Sequence, residues 1–224
     1  MRTLFAFVSL LFSLAVQAQT ASLKVKQTKD FEVKADTSLI EWKKANWLIV
    51  LKRDGAKNYL TKFKMMYSQK GVYCLFFCED KKITSSRKKD FDDLYNEDVV
   101  EAFFWTEESF PVYFEYELSP NNFELPIMVP NNKGKFYGWR PWNYEGERKT
   151  RHDAQIHPNK NWVVSFFIPY VLLKPLGNVP PEPGTKWRCN FYRIDYDEKS
   201  SEWSWQPTQK TFHEKEKFGA VDFE

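Results

Sequence analysis

The sequence predicts an all-β fold: a single-domain β-sandwich, jelly-roll or immunoglobulin-like, of two antiparallel sheets with short helical turns. Short runs of β-branched and aromatic residues recur along the chain, and each ends in a cluster of Pro, Gly, Asn or Asp. Helical patterns are scarce. In the run "VYFEYEL", polar and apolar residues alternate, which places Tyr113, Glu115 and Glu117 on one face and Phe114, Tyr116 and Leu118 on the other.

The first 18 residues have the pattern of a signal peptide. Arg2 is followed by an apolar stretch over 4–16 and by a small-residue cleavage site that ends at Ala18. The stretch is too short to span a bilayer. No cysteine lies near the cleavage point, so a lipid anchor is not expected. We expect an exported domain over 19–224, periplasmic or secreted; the alternative is a buried N-terminal helix.

Eight strands are predicted with clear patterns, and weaker candidates lie near Phe31, near Phe136 and over 152–156. The clear strands span 47–52, 62–67, 72–79, 99–105, 112–118, 162–168, 187–194 and 218–223. Two short helical segments are predicted within 38–49 and 169–177. The absence of a repeat or linker indicates one domain.

Charge and cysteine content limit the function classes. The chain has 33 Lys and Arg against 30 Asp and Glu, a balance that argues against nucleic acid as a partner. Cys74 and Cys78 lie four residues apart on one predicted strand, roughly 13 Å apart and beyond disulfide reach. We expect three buried thiols; one bond from Cys189 to either of the others is the alternative.

Acidic residues offer two further interpretations. Glycosidases use paired carboxylates, so a glycoside-active enzyme could use Glu101 with Glu115 or Glu97, although glutamates alternating along an exposed sheet face are ordinary. Loops rich in Asp could bind calcium, but the EF-hand spacing is absent. The candidate calcium-binding residues are Asp80, Asp92, Asp93 and Asp98.

Aromatic residues make up 18% of the chain, and exposed rings can bind the apolar faces of sugars. In "FYGWRPWNYE" (136–145), we expect Trp139 or Trp142 to be anchored in packing and Arg140 to stack on a ring. The other Trp would form a wall of a binding site.

Five segments in order resemble the carbohydrate-binding module family 9, and the resemblance runs from about Asp36 to the C-terminus. They are "GVYCLFFCED", "LYNEDVVEAFFW", "NWVVSFFIPYVLL", "WRCNFYRID" and "SWQPTQKTFHEKEKFGAVDF". The resemblance implies a β-sandwich that binds plant-type polysaccharide or oligosaccharide without catalysis. It also implies association with polysaccharide-degrading enzymes, and it makes structural calcium an expectation without fixing ligands.

The resemblance also implies site residues. Tyr95 and Phe212 would be the stacking rings, Glu101 and Gln209 the hydrogen-bonding groups, and Trp142 an additional wall. The chain departs from the family in three ways: Tyr and Phe replace the usual Trp rings, Glu115 stands where some members have arginine, and Ser165 where glutamate is common. We expect no required cofactor, no nucleic acid and no membrane anchor. A sandwich that has lost sugar binding and binds a protein is the remaining alternative.

Overall fold

The computed structural model describes residues 22–224 and confirms the all-β fold; the predicted signal peptide, 1–18, lies outside the described residues. The strands are β1 (Leu23–Gln27), β2 (Leu48–Ile49), β3 (Leu51–Asp54), β4 (Thr61–Tyr67), β5 (Gly71–Glu79), β6 (Val99–Trp105), β7 (Val112–Leu118), β8 (Glu124–Asn132), β9 (Lys135–Phe136), β10 (Arg151–His157), β11 (Asn161–Pro169), β12 (Lys186–Asp195), β13 (Ser201–Ser204) and β14 (Gly219–Phe223). Helical structure consists of α1 (Tyr170–Leu173) and four 3₁₀ turns, Ile40–Lys44, Leu94–Asn96, Gly146–Arg148 and Lys215–Lys217.

Two sheets form the sandwich, and β1 joins them. The first sheet has the order β9-β8-β7-β6-β12-β14, and the second the order β10-β11-β5-β4; within each sheet the neighbours are antiparallel. β1 pairs in parallel with β14 over Leu23–Val25 and with β4 over Lys26–Gln27. The prediction of two antiparallel sheets did not include these parallel pairings.

The core lies between the sheets and is built mainly from aromatic rings. Phe63 of β4 stacks on Phe191 of β12, with ring centroids 4.0 Å apart, and Phe104 packs edge-on against Phe191 and Trp187. Fully burying a side chain of this size contributes about 1.5–3 kcal/mol. The three cysteines are free and buried, as predicted.

A buried arginine on β12 links the first sheet to the end of β5 in the second sheet. Arg193 on β12 donates to the Asp80 carboxylate at 2.9 Å, the Asp195 carboxylate at 2.6 Å and the Glu79 carbonyl at 2.7 Å. All three charged side chains are fully buried. Because such a charge is tolerated only when it is paired, this network fixes how β5 and β12 meet.

All eight clearly patterned strands are present, although 47–52 divides into β2 and β3. The weak candidates near Phe136 and over 152–156 are also present, as β9 and β10. The predicted strand near Phe31 is wrong: that segment is irregular, and its ring stacks on Tyr73 with centroids 4.2 Å apart. Both predicted helical segments are present as single turns.

The described residues do not fit the expected calcium ion. Within 22–224 no group of three or more His, Cys, Asp or Glu side chains is arranged to hold a metal. Asp80 pairs with Arg193, and Asp98 accepts backbone N–H groups from Thr84 at 2.5 Å and Tyr196 at 2.7 Å. The oxygens of Asp80 and Asp98 are therefore occupied by hydrogen bonds and an ion pair within the protein, and we assign no metal ligands. No helix over the same residues is long and apolar enough to cross a membrane.

Candidate functional site

A cavity of about 810 Å³ lies on the face of the first sheet that points away from the core. Strands β6, β7 and β8 supply its floor, because their residues alternate between the core and this face. Its walls come from three segments that reach over the sheet: 91–95, 136–140 and 210–213. The cavity is large enough for a small ligand.

Three glutamates form the polar part of the floor. Glu101 on β6 lies directly opposite Glu117 on β7, and Glu115 is two residues away on the same face. All three side chains line the cavity and are almost fully buried. Burial raises the pKa of each carboxyl, and neighbouring negative charge raises the pKa of Glu101 and Glu117 further.

The glutamates are poorly satisfied by the protein itself. Glu115 and Glu117 are close enough for one carboxyl to hydrogen-bond to the other. The Oε2 atoms of both are buried and have no hydrogen-bond partner in the part of the chain that the structure describes. Buried polar atoms normally have partners, so these two oxygens are the unusual feature of the site.

Of the three Lys and Arg side chains that line the cavity, Arg53 and Arg140 are engaged elsewhere, and Lys210 is exposed. Arg53 pairs with Glu202 and donates to the Thr208 and Gln209 carbonyls at 3.2 and 3.1 Å. Arg140 lies 4.5 Å from the centroid of the Phe91 ring, which confirms the expectation that it stacks on a ring. Among the described residues no Lys or Arg forms an ion pair with the three glutamates.

His213 is the nearest basic group, and it is uncharged at neutral pH. Burial lowers the pKa of His213 to about 4. The Tyr113 hydroxyl lies 2.5 Å from His213 Nδ1, and Glu115 Oε2 lies 3.7 Å from the same nitrogen. The glutamate floor therefore receives no positive charge from this ring.

Three of the predicted site residues come together at this cavity. Tyr95, in the turn Leu94–Asn96, is 44% exposed, and its ring lines the cavity together with Glu101 and Phe212. Phe212 also has a packing role, because its ring stacks on Tyr192 with centroids 4.1 Å apart and lies 5.3 Å from the Arg53 guanidinium carbon.

The other two predicted residues lie elsewhere. The side chain of Gln209 is exposed and does not line the cavity, although its backbone carbonyl helps to hold Arg53. Trp142 is 91% exposed and lies beside a separate depression near Val171. The structure therefore does not bring Trp142 together with the Tyr95 cavity.

The segment 136–140 contributes more to the cavity than sequence analysis indicated. Phe136, Gly138 and Arg140 line the cavity, whereas the alternate residues Tyr137 and Trp139 do not. The expectation of an anchored Trp is wrong, because Trp139 is 62% exposed and Trp142 more so, and it is the Trp139 backbone that pairs with Met128. The alternation of "FYGWR" with a period of two residues was the sequence signal that Phe136, Gly138 and Arg140 share one face.

Phe136 is the most exposed of the cavity rings that sequence analysis missed, and the others are Phe91, Tyr196 and His213. Phe136 stacks on His213 with ring centroids 3.8 Å apart, and it remains 43% exposed. Gly138 lets the segment approach the sheet, since a Cβ there would lie 3.0 Å from Ile127 Cδ1. Phe136 and Tyr95 are thus the most exposed of the aromatic side chains that line this cavity, and Phe91, Tyr196 and Phe212 are half-buried.

Comparison with known proteins identifies one relative by sequence and several solved structures with a similar fold. No family model matches the chain. An extracellular protein of Arthroderma benhamiae (strain ATCC MYA-4681 / CBS 112371) is 28% identical over 142 residues, which are 59% of this chain and 62% of that protein. The chain thus spans less than two thirds of the length of this relative.

Solved structures are similar over nearly the whole chain. A protein of Bacteroides uniformis ATCC 8492, proposed to bind carbohydrate, matches with a TM-score of 0.73 and 15% identity over 91% of this chain and 99% of that one. A family 9 carbohydrate-binding module of Caldicellulosiruptor kristjanssonii in complex with cellotriose matches with a TM-score of 0.67 and 16% identity, covering 91% of this chain and 94% of the module. The same organism's family 9 module in complex with glucose gives 0.66 and 16%, with 90% and 95% covered.

The protein is therefore a β-sandwich with a ligand-sized cavity on an outer sheet face. Its fold is that of the family 9 carbohydrate-binding modules.

Proposed function

We propose that the protein binds carbohydrate, without catalysis, in the cavity between Tyr95, Phe136 and Phe212. The observation that carries this proposal is the convergence of Tyr95, Glu101 and Phe212 on one cavity, although they are distant in sequence. Similar folds in complex with cellotriose and glucose support the same class of ligand.

The proposed binding mode follows from the chemistry of the walls and the floor. The exposed faces of Tyr95 and Phe136 offer apolar surface for the C–H faces of a sugar ring. Phe212 adds a half-buried ring to the same cavity, whereas the Gln209 side chain does not line it. The Glu101 carboxyl on the floor accepts hydrogen bonds from sugar hydroxyls.

We further propose that the protein is exported and acts with enzymes that degrade polysaccharides. The name of the A. benhamiae relative, an extracellular protein, supports the export. The sequence pattern of residues 1–18 supports it independently.

Calorimetric titration with cello- and xylo-oligosaccharides tests the binding site. We expect Tyr95→Ala to weaken binding at least tenfold, about 1.4 kcal/mol, because the stacking face is lost. Tyr137→Ala is the matched control, since this exposed ring does not line the cavity. A Trp142→Ala arm decides whether that ring joins the site. Equal affinity of the wild type and Tyr95→Ala across the panel would contradict the proposal.

One observation favours a second candidate function, a glycoside-active enzyme: Glu101 and Glu115 line the same cavity. Glu97 does not, because it accepts hydrogen bonds from Ser86 and Arg87 outside the cavity. Release of reducing ends from these oligosaccharides, abolished by Glu101→Gln with the fold intact, would favour the enzyme. Binding without turnover favours the module.

A further inference from the structure

Three carboxyl groups lie side by side on the floor of the cavity. Glu101, Glu115 and Glu117 lie on adjacent strands, and all three are almost fully buried. The Oε2 atoms of Glu115 and Glu117 have no partner among the described residues. A buried acceptor without a partner costs about 1–3 kcal/mol, so a ligand that supplies donors to both oxygens would recover part of that cost.

The floor lacks hydrogen-bond donors for these oxygens, and a positively charged donor would in addition favour the ionised carboxylates. The neighbouring bases do not supply them. Arg53 is paired with Glu202, Arg140 lies over Phe91, and His213 is neutral. Lys210 is exposed and forms no ion pair with these glutamates among the described residues. A protonated primary amine carries three N–H donors on one compact charge. It can therefore reach carboxyl oxygens from both strands at once, which a single hydroxyl cannot.

We propose that the cavity selects a sugar that carries a free, protonated amino group, such as a 2-amino-2-deoxyhexose unit, with the ammonium on the floor between Glu101, Glu115 and Glu117. This inference rests on the proposed function and specifies its substrate class. Tyr95 and Phe136 flank the ring of the sugar.

A divalent cation fits this floor less well than an ammonium group. No set of three or more potential metal-binding side chains with suitable geometry occurs within residues 22–224, and these glutamates are included in that statement. Ammonium accepts looser geometry, because its three donors rotate freely about the C–N bond. The chain as a whole has a formal net charge of +3, so long-range attraction does not account for binding of a cationic sugar.

Binding of an ammonium group predicts a release of protons. Burial raises the pKa of all three carboxyls, and it raises the pKa of Glu115 to about 8, so Glu115 on the empty floor retains its proton at neutral pH. A cation favours the ionised carboxylates, which lowers those pKa values and expels protons to solvent. The affinity for the amine therefore rises with pH until the amine itself loses its proton. The other titratable and charged groups at the cavity are Arg53, Asp93, Tyr95, Arg140, Glu202, Lys210 and His213.

Calorimetric titration of three oligosaccharides of equal length and linkage provides the test: the β-1,4-linked tetramers of glucosamine, N-acetylglucosamine and glucose. For the wild type we expect at least tenfold tighter binding of the glucosamine tetramer. We also expect proton release for this ligand alone, seen as a dependence of the heat on the buffer's ionisation enthalpy.

The variants distinguish an effect of the cavity glutamates from an effect of acidic residues elsewhere on the protein. Glu115→Gln and Glu117→Gln, which keep shape and remove charge, should each reduce the preference for the amine at least fivefold. Glu108→Gln removes an exposed glutamate that does not line the cavity and should leave the preference unchanged. Thermal melting of each variant confirms the fold.

The outcomes are distinguishable. Equal affinities for the glucosamine and glucose tetramers would overturn the amino-sugar inference and leave carbohydrate binding intact. Failure of every sugar to bind would overturn the proposed function as well. Titration with CaCl₂ alone completes the test: calcium binding that Glu115→Gln abolishes, without preference for the amine, would identify a metal site instead and overturn the inference.

Discussion

At the scale of single residues, the protein retains acidic groups that its own fold does not favour in ionised form. Burial raises the pKa of Glu115 from 4.5 to about 8. The folded state therefore binds more protons at this group than the unfolded chain does. The favourable contribution is complete below about pH 4.5 and is lost as the pH rises through the folded pKa near 8.

The raised pKa of Glu115 predicts that Glu115→Gln increases the free energy of unfolding at high pH. The variant should be more stable than the wild type at pH 8–9, by about 1–2 kcal/mol, because the wild type must then ionise a buried carboxyl. At pH 4 the two should be equally stable. Urea unfolding at both pH values measures the difference.

The test depends on the difference in the free energy of unfolding between Glu115→Gln and the wild type at each pH, because other groups also make each protein's stability depend on pH. His213, whose pKa burial lowers to about 4, makes stability rise between pH 4 and 6.5 and so opposes the glutamates. Subtracting the two curves removes this contribution apart from the change that the substitution itself causes at His213, whose Nδ1 lies 3.7 Å from Glu115 Oε2. A gain from Glu115→Gln that is the same at pH 4 and pH 9 would contradict a raised pKa.

At the scale of elements, the segment 136–140 couples an aromatic wall to a buried base. Phe136 covers His213 at a centroid distance of 3.8 Å. Phe136→Ala should expose the imidazole to water and raise the pKa of His213 from about 4 towards 6.5, while weakening sugar binding. NMR titration of the His213 ring measures the first effect and calorimetry the second.

Tyr137→Ala is the control for this element. It removes the next ring in the chain, which is 64% exposed and lies outside the cavity lining. It should change neither the pKa nor the affinity. An unchanged His213 pKa in Phe136→Ala would mean that other neighbours, such as Phe103 and Tyr113, bury the imidazole by themselves.

The strands that sequence analysis missed show where periodicity is insufficient. β8 contains Pro126 and Pro130, which argue against a strand by composition. β8 pairs with β7 along one side, and on its other side Met128 pairs with Trp139 while the Pro130 carbonyl accepts the Tyr137 N–H, so the pairing there does not require a proline N–H. β13 is only four residues long. Its strand character depends on the pairing with β12 and β3, which no local pattern records.

The site was partly predictable for a similar reason. Tyr95, Glu101 and Phe212 follow from ordered motifs, and the structure brings them to one cavity. The contributions of Phe136, Arg53 and His213 depend on which loops fold over the same sheet face, and distances along the chain do not contain that information. Burial of the three glutamates was missed because alternating glutamates usually lie on a solvent-exposed sheet face.

At the scale of the whole molecule, β1 holds the two sheets together. It pairs with β14 through Leu23–Val25 and with β4 through Lys26–Gln27, so one five-residue strand belongs to both layers. Val25 is the fully buried residue of this strand and joins the central core. A substitution that disrupts β1 should therefore destabilise both sheets.

Val25→Asp tests this junction. The substitution buries an unpaired charge and should destabilise the protein by about 3 kcal/mol or more, measured by urea unfolding. Hydrogen exchange should increase in β4 and in β14, since each loses the same neighbour. Lys26→Asp, at the next, exposed position, is the control and should cost little. Faster exchange confined to one of the two strands would mean that β1 belongs energetically to a single sheet, and that the aromatic core alone keeps the layers together.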